Sequence, residues 1–133
     1  MILNKEVRRR FTLFLFFQDL QKGNDLRFAL SGEGFDCFNF MDYDTLLDRL
    51  KESMPHVLIF SPEALMGGLS QFVDQVLAIN PEIVFIPIAP TEQTKGLLAY
   101  RDFNFAQIVN EGAHLAERLL WACDQVASEL YLI

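Results

Sequence analysis

Ser61 stands at the end of the apolar run Pro55-His56-Val57-Leu58-Ile59-Phe60 and is followed directly by Pro62. A hydroxyl at the C-terminal end of a buried strand lies where α/β proteins commonly place reactive groups. Serine becomes a nucleophile only with a base beside it, and no histidine is placed to serve. His56 opens a strand and His114 opens a helix. Neither has a second ligand three or four residues on, so both read as solvated or capping residues rather than metal ligands. The plainer account of Ser61-Pro62 is a strand-to-loop transition in which proline stops the ladder. Asp19, Glu63 and Glu111 could gather at the strand ends, as a weak adventitious cation site at best. Gly67-Gly68 is too short, and wrongly placed, for a phosphate-binding loop, and reads as the loop before a helix. Cys37 and Cys123 lie far apart in apolar contexts without metal-ligand spacing, as expected of free thiols in a reducing cytoplasm.

Apolar runs alternate with helix-like stretches along the chain. The first strand is predicted over Phe11 to Phe17, and the first helix over Leu20 to Ser31, stopped by Gly32-Glu33-Gly34. A second strand, Asp36 to Met41, leads to a helix from Tyr43 to Ser53, with Asp42 or Asp44 as its cap and Leu46, Leu47 and Leu50 on one face. Val57 to Phe60 forms the third strand. Ser70 is expected to cap the next helix, which runs to Ile79 with Phe72, Val73, Val76, Leu77 and Ile79 as its core stripe. Ile83 to Ile88 is the fourth strand, Gln93 to Arg101 a short, weak helix, and Phe103 to Val109 the fifth strand. One long helix starts at Ala113. Five strands alternating with helices imply a parallel sheet, because parallel neighbours need crossover connections. Strands 1, 3 and 4 are almost continuously apolar, as central strands covered on both faces are. Asn39 on strand 2, and Asn104 and Gln107 on strand 5, mark those two as edges.

The stretch from Gly34 to Ser61, GFDCFNFMDYDTLLDRLKESMPHVLIFS, resembles without a gap the β2-α2-β3 region of response-regulator receiver domains. The likeness extends over nearly the whole chain and is weakest around the first helix; pattern and spacing carry it, not signature residues. It implies a three-layer αβα, doubly wound, five-stranded parallel sheet of the flavodoxin/CheY-like type, with strand order 2-1-3-4-5. It also implies a phosphotransfer site of a carboxylate acceptor, Mg²⁺-holding carboxylates, a hydroxyl and a lysine at the strand ends. In the family register the acidic pair falls on Phe17 and Gln18, with Asp19 one step later, and the acceptor falls on Ser61. The hydroxyl falls on Ala89. The lysine falls on Glu111, or on Asn110 if the register slips by one, and the strand-5 aromatic residue falls on Ile108. The resemblance thus speaks for the fold and against the family's reaction: a degenerate receiver, with neither catalytic residues nor metal nor cofactor.

With 133 residues the chain is predicted to be one domain, long enough to bury a core. Half of it is apolar, at 51%, with 13 phenylalanines, which excludes intrinsic disorder. A net charge of -7 argues against direct nucleic-acid binding, since phosphate contacts need clustered cations. The one basic run, Arg8-Arg9-Arg10, precedes Phe11 to Phe17 as a signal peptide's charged segment would. Gln18-Asp19-Leu20-Gln21-Lys22 offers no small-residue cleavage site, however, and seven apolar-rich residues cannot span a bilayer.

In the final helix Leu115, Leu119, Ala122, Val126 and Leu130 form a stripe, and Leu120, Trp121, Cys123 and Ala127 add apolar surface beside it. This is either one wide core-facing stripe or a second face for another chain, with Leu120 and Trp121 as interface anchors. Leu130-Tyr131-Leu132-Ile133 carries no helix-stop signal, which predicts a longer parent polypeptide with an output domain or coiled coil beyond it. The function expected is a phosphorylation-independent, cytoplasmic signalling module of bacterial type. It would act on a protein partner or attached output domain, with a homodimer through helix 4, strand 5 and the final helix, and without membrane or nucleic-acid contact. The alternative is a small α/β ligand-binding domain or enzyme using the crevice with Ser61, Asp19 and Glu111.

Overall fold

The computed structural model describes residues 3–65, 68–93 and 107–132. Strands β1 (Thr12–Phe16), β2 (Asp36–Phe40), β3 (Val57–Phe60), β4 (Val84–Ala89) and β5 (Val109–Asn110) form one sheet in the order β2-β1-β3-β4-β5, and every pairing is parallel. The α-helices among the described residues are α1 (Lys5–Arg8), α2 (Leu20–Gly32), α3 (Tyr43–Glu52), α4 (Leu69–Ile79) and α5 (Leu115–Leu132). The predicted doubly wound sheet, its order and its two edge strands are all present.

Alternation along the central strands divides the core into two layers. Leu13, Leu15 and Phe17 pack with Val57, Ile59, Ile86 and Ile88 under α2 and α5. Phe14 and Phe16 pack with Leu58, Phe60 and Phe85 under α3 and α4. The central strands therefore read as unbroken apolar runs because both faces are covered.

Several boundaries move for local reasons. Asp42, not Asp44, caps α3, its carboxylate accepting the Thr45 N–H at 2.9 Å. Ser70 lies inside α4 rather than capping it. Burial of Leu69 goes with two more residues, Leu69 and Ser70, in that helix, and Gly68 occupies the cap without a side-chain bond. A 3₁₀ turn, Pro62–Leu65, precedes α4, and β4 begins and ends one residue later than predicted. The predicted helix Gln93 to Arg101 lies outside the described residues beyond Gln93, which ends a 3₁₀ turn from Thr91. Of the predicted fifth strand, 103–106 lie outside them, Gln107 and Ile108 are not in the strand, and β5 continues to Asn110. The last helix starts at Leu115, after a turn in which Gly112 (φ 127°) and His114 (φ 59°) take left-handed backbone.

The N-terminal helix α1 and its anchor are additions to the elements expected from sequence. Arg8 is buried, and its guanidinium makes a bidentate pair with Asp124 of α5, Nε to Oδ1 at 2.9 Å and Nη2 to Oδ2 at 2.7 Å. Its Nη1 donates to the Glu33 carbonyl at 2.9 Å, and the group lies 5.7 Å from the centre of the Phe35 ring. One member of the basic run is thus part of the core. His56 is also less solvated than expected: it is half-buried beside Phe11, and its Nδ1 accepts the Thr12 N–H at 3.0 Å.

Candidate functional site

The crevice at the C-terminal edge of the sheet is assembled by register. Phe16 pairs with Phe60, so the next residues, Phe17 and Ser61, lie side by side, and the Ser61 N–H donates to the Phe16 carbonyl at 3.2 Å. Ala89 pairs with Asn110, and the Glu111 N–H donates to the Ala89 carbonyl at 3.0 Å. Phe17, Gln18 and Ser61 therefore lie just past the ends of β1 and β3, Ala89 ends β4, and Glu111 follows β5. Asn110, the alternative lysine position, turns its amide back onto the Ala89 carbonyl at 3.3 Å. Ile108 is half-buried against the α3/α4 layer.

The side chains at these positions limit the chemistry. Phe17 is buried in the α2/α5 layer and Ala89 is fully buried, so neither offers a polar atom. Gln18 is exposed and cannot supply a carboxylate. A cleft of about 250 Å³ remains, lined by Phe17, Gln18, Asp19, Lys22, Ser61 and Glu63. Asp19 is committed to capping α2, accepting the Lys22 N–H at 3.2 Å. Asp19 and Glu63 share the cleft, but Glu111 turns to another partner. Among the described residues no three His, Cys, Asp or Glu side chains gather as a metal site would require.

Glu111 is held by Lys22, whose ammonium reaches it from the first turn of α2. Lys22 is the site residue that sequence reading missed. The available signal was its place one turn beyond β1, three residues after the Asp19 cap, on the side of the helix facing the crevice. Its partner is 89 positions away, and no local pattern announces such a pair. A cation and an anion thus meet at the crevice with their chain positions opposite to the family register: the acid follows the last strand and the lysine follows the first.

The other candidates lie elsewhere. His114 is exposed, with Nδ1 3.7 Å from Glu117 one turn on. Cys37 and Cys123 are both buried; burial pushes the Cys37 thiol up to about 12 and raises Cys123 in the same direction, so neither is a ready thiolate. On α5, Leu119, Ala122 and Val126 are buried as expected, but Cys123, Asp124 and Ala127 are buried with them. The core-facing stripe is therefore the wider of the two readings. Leu120 packs partly against that core, while Trp121 stands 47% exposed. No helix among the described residues is long and apolar enough to cross a membrane.

No known family profile and no curated protein matches the chain. Solved structures do. NtrX from Brucella abortus aligns with a TM-score of 0.76 at 16% identity, covering 91% of this chain and 27% of that one. The receiver domain of nitrogen regulatory protein C aligns at 0.74 and 15% identity, over 91% of this chain and 97% of that domain. A response regulator receiver domain from Clostridium thermocellum gives 0.73 and 15%, with 92% and 98% covered. The chain spans about a quarter of NtrX and nearly all of the isolated receiver domains. Sheet order, layer arrangement and these neighbours agree that the chain has the fold of response-regulator receiver domains.

Proposed function

We propose that this chain is a degenerate receiver-like domain that works without phosphorylation, as a protein-interaction or dimerisation module controlling an attached or partner output protein. The observation that carries this reading is the crevice. In the register that the family resemblance implies, Phe17, Gln18, Ser61, Ala89 and Glu111 take the positions of a receiver's metal-holding acids, acceptor, hydroxyl and lysine, and Lys22 pairs with Glu111 beside the cleft. Phosphoryl transfer relies on positioning and charge stabilisation, so losing the whole set removes the means and not just one part. The module is read as a single domain, not an enzyme, cytoplasmic, of bacterial type and without nucleic-acid contact, in keeping with its acidic charge. With no phosphoryl group to bias two conformations, its association is constitutive or set by a partner. The dimer face is assigned to the segment Gln93 to Arg101, the fifth strand and α5, with Leu120 and Trp121 as anchors.

The test is incubation with acetyl phosphate or phosphoramidate and Mg²⁺, read by intact mass. The expected result is an unchanged mass. Stoichiometric addition of one phosphoryl group would overturn the proposal.

A further inference from the structure

On the opposite face of the sheet from Phe17, a second cleft of about 250 Å³ opens between α3 and α4. Three rings form its apolar wall. Phe16 and Phe72 stack at 6.1 Å with planes 12° apart, and Tyr43 meets both, at 6.1 Å and 5.8 Å. Ala64 and Leu65 of the 3₁₀ turn and Gly68, with no side chain, leave the remaining space open. Gln71 and Gln75, one turn apart on α4, supply the amides. The Tyr43 hydroxyl donates to Gln75 Oε1, which orients that amide and leaves its Nε2 to donate. Burial and the neighbouring Asp44 raise the Tyr43 phenol, keeping it a protonated donor.

No formally charged side chain lines this cleft among the described residues, in contrast to the crevice, which holds Asp19, Lys22 and Glu63. An anion entering it would lose water and meet only the like charge of Asp44 beside Tyr43, so the lining selects against anionic ligands. Flat walls of π-surface favour a flat partner, in offset or edge-on contact. An apolar cavity of about 150 Å³ is enough for benzene, so this space suits one or two rings. Apolar walls with a few convergent polar groups are the general make-up of small-molecule sites.

We propose that the cleft between α3 and α4 is a binding site for a small, neutral, planar aromatic compound, stacked against Phe16, Tyr43 and Phe72 and hydrogen-bonded by the amides of Gln71 and Gln75. The site is independent of the crevice and of whether the crevice is chemically silent.

The test is a titration of the ¹⁵N-labelled full chain with indole, followed by amide shifts. Saturable shifts are expected at Tyr43, Gly68, Phe72 and Gln75, with Gln18, Asp19 and Glu111 unmoved, and half-saturation on the order of 1 mM or below for so small a probe. Two filling variants, Ala64→Phe in the turn and Gln71→Trp on the exposed side of α4, should each weaken binding by at least about tenfold. Their folding is checked from the dispersion of the same spectra, and either one retaining the fold suffices. Benzoate, matched in flatness but anionic, should bind more weakly than indole. Absence of saturable shifts, shifts centred on other residues, unchanged binding in a folded filling variant, or benzoate binding as well as indole would each overturn the assignment.

Discussion

Asp124→Ala tests whether the N-terminal helix is anchored by charge. The substitution removes both hydrogen bonds from Arg8, at 2.7 Å and 2.9 Å, and leaves the guanidinium in a place where the residue is only 3% exposed. Charge-assisted hydrogen bonds contribute roughly 1.5–3 kcal/mol each, and breaking a buried pair from one side costs about 3–5 kcal/mol in all. The lower half of that range applies here, because the Glu33 carbonyl at 2.9 Å and its carboxylate at 3.3 Å still face Arg8. That carboxylate belongs to a half-exposed side chain, so Glu33→Gln should cost less than about 1 kcal/mol. For a domain of this size 1 kcal/mol is worth roughly 3–5 °C, so Asp124→Ala should lower Tm by about 10–20 °C. The double variant Arg8→Met with Asp124→Leu replaces the pair with apolar volume and should recover most of the loss. Urea titrations and thermal scans of the four proteins decide it. A loss below about 1 kcal/mol in Asp124→Ala, or a double variant as unstable as the single one, would refute the reasoning.

Three further outcomes are expected. Burial lowers the His56 pKa from 6.5, so its stabilising contribution is complete above that value and is lost as pH falls through the lower folded value; urea midpoints followed downward from above pH 6.5 should drop more for the wild type than for His56→Gln. Restoring only the acceptor, as Ser61→Asp, should leave the intact mass unchanged under acetyl phosphate and Mg²⁺, because Phe17, Ala89 and Glu111 still withhold the other groups; a phosphoryl adduct would mean that the acceptor alone had been missing. Light scattering over a concentration series should show a dimer for the wild-type chain and a folded monomer for Trp121→Glu, since exposed aromatic residues commonly dominate interfaces; a wild-type monomer at the highest concentration would return α5 to a purely core-facing role.

Much of this protein is legible from sequence because its architecture rests on local patterns. Continuous apolar runs such as Val57–Phe60 and Leu13–Phe17 declare strands covered on both faces, and the alternation with helices dictates parallel pairing. Asn39 marks its strand as an edge without any knowledge of neighbours. The proposed loss of a receiver's acids, acceptor and lysine rests equally on residue identity, read in the register that the family resemblance implies. Tertiary structure alone decided which charges meet. Arg8 belongs to a basic run that sequence reading could weigh only as the charged segment of a signal peptide, and its pairing with Asp124, 116 positions away, takes it into the core. Lys22 and Glu111 close on each other across the crevice from the first and last strand–helix junctions, and the cleft between α3 and α4 is framed by rings from β1, α3 and α4. Hydrophobic periodicity reports which face of an element is buried, but it is blind to the partner across the fold. Ion pairs and cavities are properties of that partner, and so they appear only when the chain is folded.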